Sequence, residues 1–182
     1  ERTVWSTAAE AGTLSQNTDG SGIAEVTLRA GTRSGTVLVR ARALSSVGVA
    51  AHTPVAIAAG PPAFLSLGVV NCNVLACNTV AVENPGTALV YDTYHNPVRD
   101  GTVVYFNTNY GMVMGRAELG SSTTQRGFAT YRWFTTGWPE CGIVTITAST
   151  LGGELVATNS FIGSGYPFSA RFVVPAVSLV SL

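Results

Sequence analysis

The chain has 182 residues, with ten arginines, no lysine and ten acidic side chains, so its formal net charge is zero. Only 11% of residues are charged and 46% are hydrophobic, against about 25% charged in an ordinary globular domain. This composition lacks the basic excess of a nucleic-acid binder and the polarity of a disordered chain, and no apolar run approaches the about 18 residues of a membrane-spanning helix.

In chain order, Glu1-Arg2-Thr3-Val4-Trp5 carries neither the basic nor the apolar region of a signal peptide. Asp19-Gly20-Ser21-Gly22 marks a turn, and Ala24, Val26 and Leu28 then predict one inward strand face. Val37, Val39, Ala41 and Ala43 alternate with Leu38, Arg40 and Arg42. Gly60-Pro61-Pro62, Asn84-Pro85-Gly86, Asn96-Pro97 and Asp100-Gly101 read as further turns. Val104 and Phe106 point inward from the strand that follows, as do Ala129, Tyr131 and Trp133 later. Val144, Ile146 and Ala148 alternate with Thr145, Thr147 and Ser149 before a turn at Gly152-Gly153. Period-two alternation rich in Val, Ile and Thr is the mark of half-buried strands. Residues 168–182 form one more apolar, almost uncharged strand. No window shows capped helical spacing, so the chain reads as all-β and antiparallel.

The pattern repeats. Gly22–Leu28 matches Gly127–Trp133 at an offset of 105, and Gly35–Ala41 matches Gly142–Ala148 at 107. Thr3-Val4 matches Thr102-Val103 at 99, and Ile57 to Pro62 resembles Ile162 to Pro167 at 105. The changes in offset fall in turns, where insertions are tolerated. The order predicts a repeat of roughly 105 residues. Residues 1–60 are then an incomplete unit lacking its first strands, 61–164 a complete one, and 165–182 a linker and the strand of a following unit.

The complete unit carries Ala88-Leu89-Val90-Tyr91-Asp92, Asn96-Pro97-Val98, Asp100-Gly101 and Val104-Tyr105-Phe106. Thr124-x-x-Gly127-x-Ala129 and Gly142-x-Val144-x-Ile146-x-Ala148 follow. In this ordered set the chain resembles the group 1 bacterial immunoglobulin-like domain of invasin- and intimin-type surface proteins. The resemblance implies tandem immunoglobulin-like β-sandwiches at the bacterial cell surface, outside the cell. It implies no enzyme activity and no cofactor.

The chemistry-bearing residues are few. Cys72 and Cys77 stand at a C-x4-C spacing that can close a small disulfide, and Cys141 is an alternative partner for either. Neither His52 nor His95 stands at a zinc spacing from them. His95 reads as an exposed turn residue. Asp92 and Asp100 are eight apart and read as turn residues rather than a catalytic carboxylate pair. Asp92 and Asn96 cap turn amides, and Pro97 sets the backbone entering the next strand. Tyr110 and Trp138, each beside a turn former, are candidate contact aromatics.

The expected partners are therefore other sandwiches, either covalent tandem neighbours or copies associated head to tail. In the second case Phe172, Val174, Ala176, Val180 and Leu182 are the donor-strand candidates for a filament built by strand complementation. A host or surface ligand bound by an adhesin face, and an accessory role beside a secreted enzyme, are the alternatives. Nucleic acid and membrane insertion are not expected.

Overall fold

The computed structural model describes residues 3–6, 12–45, 48–116, 118–136, 141–167 and 169. The first part holds four strands. β1 (Thr3–Ser6) runs parallel to β2 (Thr27–Ala30). β3 (Gly35–Arg42) and β4 (Ala50–Ile57) form an antiparallel hairpin, with Gly35 opposite Ile57 and Arg42 opposite Ala50.

The second part is a sandwich. In chain order its strands are β5 (Phe64–Val69), β6 (Asn73–Leu75), β7 (Val80–Tyr91), β8 (Val103–Thr108) and β9 (Met112–Met114). β10 (Ser121–Thr123), β11 (Phe128–Thr136), β12 (Gly142–Thr150) and β13 (Val156–Ser164) follow. One sheet has the order β5-β7-β11-β9 and the other β10-β8-β12-β13-β6. The first is the A-B-E-D arrangement of an immunoglobulin sandwich, and β8-β12-β13 is its C-F-G partner. β6 joins that second sheet by pairing parallel to β13, so the chain crosses between layers just after β5.

Alternation explains the core. Val104 and Phe106 of β8, Ala129, Tyr131 and Trp133 of β11, and Val144, Ile146 and Ala148 of β12 all point between the sheets and are buried. Burying a large apolar side chain contributes about 1.5–3 kcal/mol. Phe106 packs against Tyr131 at 4.7 Å between ring centroids, and Trp133 meets Phe161 edge-on at 4.9 Å. Both polar handles are satisfied: Trp133 Nε1 donates to the Tyr110 carbonyl at 2.6 Å and the Tyr131 hydroxyl to that of Gly68 at 3.1 Å.

Two expectations from the sequence fail here. Asn84-Pro85-Gly86 is not a turn but the middle of β7. Asn84 is buried and exchanges hydrogen bonds with Asn71. Pro85 lies beyond the last β5 pair, Val69 with Gly86, so its missing N–H leaves that ladder intact. Gly86 is small because the Tyr131 phenol and the Gly68 carbonyl stand where its β-carbon would be. The second failure concerns the first part. Ala24 is exposed, Val26 is 50% exposed and Leu28 is only half-buried. No described residue from 12 to 60 is buried, because no second sheet faces β2, β3 and β4 among the described residues.

Candidate functional site

A polar site forms where the sandwich meets the segment before it. After β7 the chain turns through Asp92 to Asn96. Asp92 Oδ1 accepts the N–H groups of Tyr94 and Asn96, each at 2.8 Å, which is the turn capping that the spacing predicts. Its Oδ2 accepts the Gly60 N–H and the Asn96 side-chain amide, each at 2.9 Å. Asn96 reaches further. Its Oδ1 accepts the Ser34 N–H at 3.0 Å and its Nδ2 donates to the Thr32 carbonyl at 2.7 Å. Two side chains of the sandwich thus hold the linker at Gly60 and the β2–β3 loop together.

The turn itself is shaped for this. His95 adopts a left-handed backbone, φ 61°, and its ring stacks on Phe64 at 4.9 Å. Pro97 forms an antiparallel bridge with Tyr91. Gly127, in the left-handed region at φ 81°, lies against it; an added β-carbon would come within 3.0 Å of the Pro97 side chain and 2.9 Å of the Val90 carbonyl.

Asp92 is only 1% exposed. Burial pushes its carboxyl up, but the Asn96 amide and the N–H groups of Gly60, Asn96 and Tyr94 outweigh it and bring the pKa down to about 2. A carboxylate that accepts four donors and releases its proton so readily is a structural acceptor at neutral pH, not a general acid or base. Asp100 is engaged elsewhere, accepting the Arg126 N–H at 2.6 Å. Among the described residues no group of three or more His, Cys, Asp or Glu gathers as metal ligands.

The opposite pole is stapled. Cys77 is joined to Cys141, with α-carbons 5.2 Å apart and a sequence separation of 64. The leading sequence expectation, Cys72 with Cys77, is thereby corrected in favour of its alternative. β6 explains why. The extended strand Asn73–Leu75 lies between Cys72 and Cys77, and its three residues at about 3.3 Å each already exceed the roughly 7 Å a disulfide spans. Cys72 is left exposed as a free thiol. Ala76 and Cys77 both donate their N–H to the Ser164 carbonyl, at 2.9 and 3.1 Å, so the staple sits where the chain leaves β13.

Tyr110 is 40% exposed, while its carbonyl is used by Trp133. Trp138 and the donor-strand candidates Phe172, Val174, Ala176, Val180 and Leu182 lie outside the described residues. Sequence reasoning found Asp92 and Asn96 as turn formers and missed their reach to Gly60, Thr32 and Ser34. Those partners contribute backbone atoms only, which carry no signature in the sequence.

No family model and no curated protein matches the chain. Among solved structures it is similar to the D00-D0 domain of intimin, with a TM-score of 0.40 and 16% identity over 81% of this chain and 60% of that one. It is also similar to a β-glucuronidase from glycoside hydrolase family 2, with a TM-score of 0.46 and 16% identity over 81% of this chain and 15% of that one. The chain spans less than two thirds of either structure. At these scores the immunoglobulin-like assignment rests on the strand order of the sandwich itself.

Proposed function

We propose that this chain is a non-catalytic structural and adhesive segment of an extracellular bacterial surface fibre, made of immunoglobulin-like sandwiches of the group 1 type set end to end. The observation that carries this reading is the joint at Asp92 and Asn96. A free linker lets neighbouring units tumble. Here the linker and a loop are tied to the next sandwich by hydrogen bonds at Gly60, Thr32 and Ser34. Such a joint holds the units in one orientation, which is what a spacer needs to keep its reach. The chain enters the sandwich near Asp92 and leaves it near Cys141, at opposite ends of β12. At about 3.4 Å per residue its nine residues separate the poles by roughly 30 Å, so units extend in a line. The Cys77–Cys141 disulfide supports an oxidising, extracellular setting.

Small-angle scattering of the full chain tests the joint. Asn96→Ala should lengthen and broaden the distribution of interatomic distances while the circular dichroism of the strands stays unchanged. An identical scattering profile would reject the spacer.

A second reading has its own support. Among the described residues β3 and β4 pair only with each other, and Val37, Val39, Val55 and Ile57 along them are half-buried. An added strand would cover such an edge. In this reading residues 168–182 of one copy supply it to the next, building a filament head to tail. Removing residues 168–182 should then abolish filaments seen by electron microscopy; unchanged filaments would exclude strand donation.

A further inference from the structure

The sheet β5-β7-β11-β9 turns one face to the core and the other outward. Along β7 the buried positions are Asn84, Gly86, Ala88 and Val90, so Glu83, Pro85 and Thr87 face out. Along β11 they are Ala129, Tyr131, Trp133 and Thr135, so Thr130, Arg132 and Phe134 face out. The register sets these outward side chains in rows, with Thr87 beside Thr130, Pro85 beside Arg132 and Glu83 beside Phe134. On its other side Arg132 pairs with Met114, and Arg116 follows two residues later. Short side chains leave this face hollow. Pro85, Thr87 and Thr130 line a groove of about 330 Å³, with Val70 on the β5 side and Arg116 and Arg132 on the β9 side.

The polar groups of the groove are unused within the chain. Among the described residues the Thr87 and Thr130 hydroxyls and the Arg116 guanidinium have no hydrogen-bond or ion-pair partner. Arg132 packs on the Phe134 ring, 5.5 Å from its centroid, and meets Glu83 at 3.7 Å. Both side chains of that pair are about half exposed, so the pair contributes little and yields to a better acceptor. A carboxylate is such an acceptor, because guanidinium groups donate to it in a planar, two-pronged fashion. Threonine hydroxyls both donate and accept, as sugar hydroxyls do. Pro85 and Val70 add an apolar wall for the C–H face of a sugar ring. The volume stands at the lower end of the roughly 300–1,000 Å³ of small-molecule sites, room for about one or two such rings. An acidic peptide fits less well: extended peptides bind by main-chain pairing at a sheet edge, and this groove crosses the face of a sheet.

We propose that this groove binds a carboxylate-bearing sugar, a uronate residue of an acidic glycan. Arg116 and Arg132 donate to its carboxylate, Thr87 and Thr130 exchange hydrogen bonds with its hydroxyls, and its ring rests against Pro85 and Val70. The inference deepens the adhesive part of the proposed function and rests on it.

The test titrates tetragalacturonate into the full chain and follows amide chemical shifts. Saturable shifts should centre on Thr87, Thr130 and Arg132. The fully methyl-esterified tetramer keeps every hydroxyl and loses the charge, and should bind about tenfold or more weakly, the scale of a lost charged hydrogen bond. Arg116→Gln and Arg132→Gln should each weaken tetragalacturonate by about tenfold, with the circular dichroism of the strands unchanged because both side chains are exposed. Glu83→Gln releases Arg132 and should tighten binding about threefold, an effect that a merely structural role for these charges would not produce. Absence of saturable shifts, or equal binding by the methyl ester, would overturn the site. Tetraglutamate or inorganic sulfate binding as tightly as tetragalacturonate would overturn its assignment to a sugar. Absence of uronate binding while Asn96→Ala still changes the scattering would remove the glycan site alone; an unchanged scattering profile as well would remove the reading beneath it.

Discussion

The hairpins β3–β4 and β12–β13 share an alternation, an antiparallel ladder of eight pairs and a glycine at the first position, yet their inner faces differ in burial. Val144, Ile146 and Ala148 are fully buried, while Val37 and Val39 at the matching positions are half-buried and Ala41 is exposed. The stretch from Val26 into β2 and its counterpart β11 repeat the contrast: Tyr131 and Trp133 are buried where Val26 and Leu28 are not. Alternation makes a strand two-faced, but only an opposing sheet makes one face a core. β12 has the sheet β5-β7-β11-β9 across from it, and β3 faces no described sheet.

The largest expected effect lies in that difference. Trp133→Ala should cost about 3–5 kcal/mol of stability, the range for deleting a large buried aromatic, measured by urea unfolding followed by circular dichroism. Leu28→Ala, at the matching position, should cost about 1 kcal/mol or less. Equal costs would mean that the first part buries its apolar face as well as the second does, and the comparison would fall.

Smaller effects separate the two parts by pH. Asp92 binds its proton more weakly in the folded chain, with a pKa lowered from 3.8 to about 2. The stability it contributes is therefore full above the unfolded value and is lost as the pH falls through that interval. Tyr131 is the opposite case. Burial raises its pKa from 10.0 to about 12, so its contribution is full below 10 and lost as the pH rises through 12. Asp92→Ala should flatten the acid limb of the urea midpoint against pH, and Tyr131→Phe the alkaline limb. Asp19 in the first part is also shifted down, by the N–H groups of Ile23 and Ser21. It stands in an exposed loop, where screening leaves little net effect, so Asp19→Ala should leave the acid limb as it is. An acid limb flattened equally by both aspartates would remove the distinction.

The sequence was most legible where one residue type has one use. Alternation located β3, β8, β11 and β12, and the sign of each inward position in the sandwich was right because side chains on a strand alternate strictly. Asp92 and Asn96 were legible as a turn because capping is local. Asn84-Pro85-Gly86 misled because turn residues also serve a crowded strand: Gly86 answers to the Tyr131 phenol, a contact made across the sandwich. The cysteines misled because spacing in sequence says nothing of the strand lying between Cys72 and Cys77.

The even charge and the low charged fraction set the expectation of no nucleic-acid partner, and the alternation by itself determined an all-β chain. Both follow from local rules: charge adds residue by residue, and the strand period is set by the backbone. What only the tertiary structure decided was which alternating face has a partner, which cysteine meets Cys77, and that Asp92 and Asn96 close a joint as well as a turn. Each depends on atoms brought together from distant parts of the chain. In the joint those atoms are backbone N–H and carbonyl groups, which every residue but proline presents alike.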